Sequence, residues 1–315
     1  MNAVWSCKEF EGKNMTQFDD RQLTAEVIRS FEKTSNARLK SILTELVASL
    51  HDFVRKTDLS FEEWNYAIDY LTRTGQASTA TRQEFILLSD VLGVSMLVDA
   101  VNHREREGAT QTTVLGPFYV GEHRPTAHGS DISTGVDGEP MFVRSRITDL
   151  DGKALAGAEI DVWHADDDGF YDSQKPSYGK QGPSLRARFV ADHDGRFSFR
   201  TILPRSYPIP TDGSVGELIG ATGRHPMRPA HVHFLVKAQG YEPLITHVFV
   251  EGDPYLTSDV VFGVKDELIS RVERHDEPVM ADGERASGPW HLMTYEFQMK
   301  PGTGVVPQPL LSAAE

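Results

Sequence analysis

The sequence predicts an α+β protein, with an N-terminal helical domain followed by a β-sandwich domain that holds the chemistry-bearing residues. Two observations predict it. Residues 20–106 place apolar side chains at helical spacing, and no proline occurs before Pro117. From Gly116 onward, glycine and proline recur among short alternating apolar runs.

The elements follow in chain order. Residues 1–19 are polar and irregular and read as a disordered start, with Met15 as a second possible initiator. Leu23, Val27 and Phe31 mark a first helix; Leu39, Ile42, Leu43, Leu46, Leu50 and Phe53 mark a second. Ser60 and Glu63 have the spacing of a capping box and open a third. Residues 79–104 read as one further helix, with Phe85, Leu88, Leu92, Met96, Val98 and Val101 among its apolar positions. The domain boundary falls within 106–116, giving a helical domain over 20–110 and a β-domain over 111–315. Strands are expected at 142–147, 159–163, 187–191, 196–202, 231–237, 244–250 and 294–299 in an antiparallel arrangement. Asp- and Gly-rich turns at 149–152 and 192–195 separate some of them.

Composition narrows the function. The 315 residues carry a net charge of −14, from 32 basic against 46 acidic side chains, which argues against nucleic acid or an anionic membrane as partner. The single cysteine, Cys7, permits no intrachain disulfide and fits a reducing compartment. No apolar run approaches the roughly 18–20 residues of a membrane span, and the start lacks a basic segment followed by an apolar one. A cytoplasmic location is expected.

The densest chemical signal is the stretch from Pro229 to Phe234, in which His231 and His233 alternate with apolar residues. In a strand, residues two apart share a face, so both imidazoles reach one ion. Tyr171 and Tyr207 lie upstream in turn-rich segments. Either tyrosine alone suits a packed ring with a hydrogen-bonded hydroxyl. With an ordinary pKa of about 10, a phenol binds metal only where a strongly Lewis-acidic ion removes its proton. Two phenolates with two imidazoles suit ferric iron better than zinc or magnesium. Arg228 places a cation beside the pair. His164, His225 and His247 are further candidate ligands, whereas His193 lies in a turn and is expected to be solvated. No Gly-x-Ser-x-Gly, Walker A or Gly-x-Gly-x-x-Gly motif is present, which argues against serine hydrolase and nucleotide chemistry.

These residues resemble the intradiol ring-cleaving dioxygenases. Ile160-Asp161-Val162, six residues, then Gly169-Phe170-Tyr171 match the family's signature, with Gly152 and Leu155 at its earlier positions. Ser145 departs from it where glycine is usual. Tyr207, Arg228 and the 229–234 stretch follow in the family's order, so the resemblance covers roughly residues 20–300. It implies a β-sandwich catalytic domain in which Tyr171, Tyr207, His231 and His233 hold a non-haem Fe(III). Tyr207 would be the axial ligand that leaves when substrate binds, and Arg228 would offset charge on the substrate. Within the family the hydroxyquinol branch is nearest. There Leu87, Asp90, Val114, Gly116, Pro117, Phe118, Ile209 and Pro210 would line the substrate pocket. His247 stands where catechol-cleaving members often carry glutamine, and Leu115 where the branch can be aromatic. The implied substrates are a small aromatic diol or triol and O2. Hydroxyquinol would give maleylacetate; the alternative is catechol giving cis,cis-muconate. A non-catalytic β-sandwich binding module is the alternative of another class, and an Fe(II) extradiol enzyme, needing two histidines and a carboxylate, fits the tyrosines poorly. The resemblance also implies a homodimer joined through the N-terminal helices, with a lipid possible between them.

Overall fold

Three amphipathic helices begin the chain in the computed structural model, which describes residues 19–79, 82–104, 107–121, 125–175 and 183–306. The irregular start, Cys7 and Met15 included, lies outside the described residues except for Asp19. The chain divides into two units, residues 1–69 and 70–315.

In the first unit, Asp19 caps helix α1 (Asp20–Ser30), and Asn36 caps α2 (Ala37–Thr57) by accepting the Leu39 N–H at 3.0 Å. Arg55 of α2 pairs with Asp20 of α1 at 2.6 Å, and Thr24 meets His51 at 2.9 Å, fixing the two helices side by side. The capping box forms at the start of α3 (Phe61–Ala77): Ser60 N–H donates to Glu63 at 2.9 Å, and Glu63 N–H to the Ser60 hydroxyl at 3.2 Å.

The second unit corrects the single helix expected over 79–104. It is two helices, α4 (Glu84–Val91) and α5 (Val94–Asn102), broken where Gly93 takes a left-handed φ of 72°. Glycine enters that conformation at no steric cost, so the apolar period survives a break in the backbone. A sixth helix, α6 (Ser214–Ala221), was not legible, because Gly216 and Gly220 weaken its propensity. Its start is held by the buried Glu84 carboxylate, which accepts the Val215 N–H at 3.1 Å.

Two sheets build the β-domain. One contains β1 (Pro140–Asp149), β4 (Arg196–Ile202), β10 (Val272–His275) and β11 (Trp290–Met299), in the order β10-β11-β1-β4. The other contains β2 (Glu159–Trp163), β3 (Arg186–Val190), β7 (His231–Lys237), β8 (Leu244–Val250) and β9 (Ile269–Ser270), in the order β3-β2-β7-β8-β9. The sheets are mixed rather than antiparallel throughout, since β1 pairs β11 and β8 pairs β9 in parallel. Long connections, which local periodicity does not register, allow those pairings. Two-residue strands β5 (Tyr207–Pro208) and β6 (Met227–Arg228) form a separate ladder.

The main core contains the inward residues of both sheets, among them Val143, Phe189, Phe197, Phe199, Phe234 and Phe297. Alternation then decides where the chemistry lies. On β7, Val232, Phe234 and Val236 enter this core, so His231, His233 and Leu235 point out of the opposite face. That face is buried too, under Phe118, Tyr119, Tyr171 and Tyr207.

Candidate metal centre

Strand register puts Trp163, His233 and His247 in one row across β2, β7 and β8, with His231 one step along, opposite Phe249. The Trp163 ring stacks on His233 with centroids 4.7 Å apart at 16°. His233 and His247 meet edge to face at 4.1 Å.

Tyr171 arrives from the turn after β2. Asp166 organises that turn, its side chain accepting the N–H groups of Asp168 at 3.1 Å and Phe170 at 2.9 Å. Gly169 has φ 85°, and a Cβ there would lie 2.5 Å from the Tyr207 Cβ. Glycine is therefore required twice over, for conformation and for the close approach of the two tyrosine segments. Tyr207 comes from β5, directly opposite Arg228 on β6.

Four donor atoms converge. The Tyr171 hydroxyl lies 2.8 Å from the Tyr207 hydroxyl and 2.8 Å from His233 Nε2, and His233 Nε2 lies 3.2 Å from His231 Nε2. These spacings match adjacent donors around one ion whose bonds are about 2.0–2.1 Å long. His231 Nδ1–H donates to the Pro229 carbonyl at 2.6 Å, which fixes the tautomer and leaves the Nε2 lone pair facing the centre. Burial, then the Arg228 charge, hold the His231 imidazole well below the usual histidine range. Burial, then neighbouring His247 and His231, do the same for His233. Neutral imidazoles are what a metal requires. Burial raises both phenols, with Arg228 acting in the opposite direction on each, so a cation at the centre is needed to make them phenolates. The donor set and its spacing fit a single metal ion. His247 joins His231 and His233 in a cluster whose ligand atoms lie within 4.8 Å of one another. Its Nε2 is buried without a hydrogen-bond partner among the described residues.

The other candidates separate clearly. His164 is buried with both nitrogens engaged, Nδ1 2.7 Å from the Ala165 carbonyl and Nε2 2.6 Å from the Thr201 hydroxyl. His225 accepts the Met227 N–H and lies against Tyr255, away from the four donors. His193 is 87% exposed, as expected of a turn residue. Phe118 stacks on Tyr171 at 4.6 Å, and Gly116 has φ 77° beside the His233 ring. Leu87, Val114 and Ile209 share one buried cluster, and Asp90 is buried on α4. Pro117 and Pro210 are half-buried.

Sequence reading missed Asp259, Arg186 and Asp172. Arg228 donates to Asp259 through Nε at 3.2 Å and Nη2 at 3.3 Å, and Arg186 pairs with Asp172, the residue after Tyr171. Only the last offered a local signal, by its place in the chain.

Comparison with known proteins agrees with this geometry. The family described as Dioxygenase matches residues 114–300, and Catechol dioxygenase N terminus matches 36–110. The chain is 53% identical over 255 residues to the 6-chlorohydroxyquinol 1,2-dioxygenase of Cupriavidus pinatubonensis, covering 81% of this chain and 92% of that one. It is 44% identical over 286 residues to the hydroxyquinol 1,2-dioxygenase of Nocardioides simplex, covering 90% and 97% respectively. The solved hydroxyquinol 1,2-dioxygenase of Pseudomonas putida superposes with a TM-score of 0.81 at 43% identity, over 90% of this chain and 99% of that one. Fold, donor set and relatedness agree, and the chain belongs to the intradiol ring-cleaving dioxygenase family, enzymes of the non-haem iron type.

Proposed function

We propose that this chain cleaves benzene-1,2,4-triol (hydroxyquinol) with O2 between the two adjacent hydroxyl-bearing carbons. Both oxygen atoms enter the product, 3-hydroxy-cis,cis-muconate, a tautomer of maleylacetate. The convergence of two phenolic oxygens and two imidazole nitrogens at 2.8–3.2 Å carries the reading. The donors Tyr171, Tyr207, His231 and His233 suit Fe(III), which when bound would supply the charge that makes phenols into phenolates and the ring's adjacent hydroxyls acidic.

The remaining roles belong to the chain. Tyr207 Oη takes a proton from a ring hydroxyl. Arg228 turns Nη1 toward the centre, 3.2 Å from His231 Nε2, and offsets negative charge on the ring oxygens. His247, whose Nδ1 lies 3.4 Å from Arg228 Nη2, would line the same site beside the ring. Leu87, Val114, Gly116, Pro117, Phe118, Ile209 and Pro210 wall the ring and exclude water. Asp90 distinguishes triol from diol by accepting a hydrogen bond from the third hydroxyl. Burial pushes its carboxyl up to about 6, with a Ser95 hydrogen bond and the Arg228 charge opposing.

Assay of the iron-loaded protein with triol and catechol tests the reading. Triol is expected to turn over with the larger kcat/KM, in a red-brown protein with one iron per chain; faster catechol turnover would favour the alternative substrate. An iron-free protein that binds aromatics without cleaving them would make it a binding module. Asp90→Val is expected to lower kcat/KM for triol about 10–100-fold, the worth of one hydrogen bond to a charged group. Catechol turnover should stay within about threefold under the same bound, and equal losses on both substrates would remove Asp90 from specificity.

Assembly and location complete the reading. Leu39, Ile42, Leu46, Leu50 and Phe53 of α2 are exposed in the single chain and would join two subunits as a homodimer, the same apolar face being the one a lipid would cover. No helix among the described residues is long and apolar enough to cross a membrane, and the enzyme would act in the cytoplasm.

A further inference from the structure

We infer that Asp259 is a positioning residue that aims the Arg228 guanidinium, holding it by one edge so that Nη1 is left facing the reacting centre. The inference rests on the role given to Arg228 above.

The geometry is specific. Asp259 occupies the Nε and Nη2 edge of the guanidinium at 3.2 and 3.3 Å, and Nη1 lies 3.2 Å from His231 Nε2. A planar guanidinium fixed along one edge has no remaining freedom about its plane, so the direction of Nη1 follows from the carboxylate. Both side chains are buried, Arg228 to 5% exposure and Asp259 to 2%, which keeps the pair unscreened by solvent.

The carboxylate is itself anchored. It accepts the backbone N–H of Val261 at 3.3 Å and of Gly263 at 2.9 Å, so four donors hold it. The turn that provides them contains Phe262 at φ 60°, an unfavourable conformation for a bulky residue. The turn is maintained from outside. Arg224 lies over the Phe262 ring at 5.1 Å and donates to the Val91 and Val260 carbonyls at 2.7 Å each. Gly263 completes the fit: a Cβ there would lie 3.2 Å from both Arg228 Nη2 and Asp259 Oδ2.

The test uses the full chain, loaded with iron for kinetics and metal-free for spectroscopy. Asp259→Asn is expected to lower kcat for benzene-1,2,4-triol about 10–100-fold, the usual cost of removing an orienting partner, with KM, iron content and the visible band near wild type. In an Arg228→Gln background the same substitution should change kcat less than about twofold, because it acts through Arg228. A full second loss there would make Asp259 merely structural and overturn the inference. In the metal-free protein the Arg228 Nε–H should give a slowly exchanging 15N–1H signal that Asp259→Asn removes; an unchanged signal overturns it. This arm needs no turnover, so a chain that cleaved neither ring would sink the reading of function and still leave Asp259 to be decided. If Asp259→Asn does not fold, Gly263→Ala crowds the same pair without removing charge. It should lower kcat and speed the exchange, and no change in either would overturn the inference.

Discussion

Tyr171→Phe is expected to bind iron more than about 100-fold more weakly than the wild type and to lose ring cleavage with it, while remaining folded. The bound is set by comparison: removing a group that merely orients a metal ligand costs about 10–100-fold, and this substitution removes a donor atom outright. The ring itself is buried and stacked on Phe118 at 4.6 Å, and phenylalanine keeps that packing. What disappears is the oxygen at the junction of two short contacts, to Tyr207 and to His233, each at 2.8 Å. The chain of donors around the centre is cut at its middle. Metal analysis, the visible spectrum and thermal denaturation together check this. Full iron occupancy with undiminished colour and turnover would mean that Tyr171 is not a ligand and that the proposed centre is wrong.

The sequence exposed those donors because strand alternation is a local code. His231 and His233 share a face whatever sheet they join, and the observed β7 bounds are the expected ones. The same code gave β2, β4 and β8 their full extents. Elements of two residues carry no period, so β5 and β6 were invisible, although their ladder sets Tyr207 opposite Arg228. Parallel pairing of β1 with β11 joins segments about 150 residues apart and leaves no mark on either. Charge partners failed for the same reason. Nothing near Arg228 in the chain announces Asp259, 31 residues on. His164 illustrates the opposite error. Its neighbourhood in sequence resembles a ligand's, but Thr201 and the Ala165 carbonyl already occupy both nitrogens.

Asp172→Ala is expected to destabilise the metal-free protein by about 3–5 kcal/mol, because it strands a buried guanidinium. Arg186 is 2% exposed and Asp172 8%, so solvent screens neither. The Asp172 carboxylate accepts Arg186 Nε at 2.9 Å on each oxygen and a further contact from Nη2, together with the N–H groups of Ser173 and Ser184 at 2.7 and 3.1 Å. Without it Arg186 retains the Phe118 carbonyl at 3.2 Å, one acceptor for a full charge. Arg186 stands opposite Trp163 in the β3–β2 ladder, and Asp172 follows Tyr171 directly. The pair therefore ties the sheet beneath His233 to the segment bearing the first phenol. Two effects should then separate. The double variant Arg186→Leu with Asp172→Ala removes the stranded charge and is expected to recover most of the denaturation midpoint, since apolar replacement of a buried pair is often close to neutral. It leaves the Tyr171 segment without its tie, so its iron affinity should stay about 10–100-fold below wild type. Urea titration of the metal-free protein and iron binding by the refolded one measure the two quantities independently. A double variant that regained both together would show that the ion pair contributes stability alone and has no part in placing Tyr171.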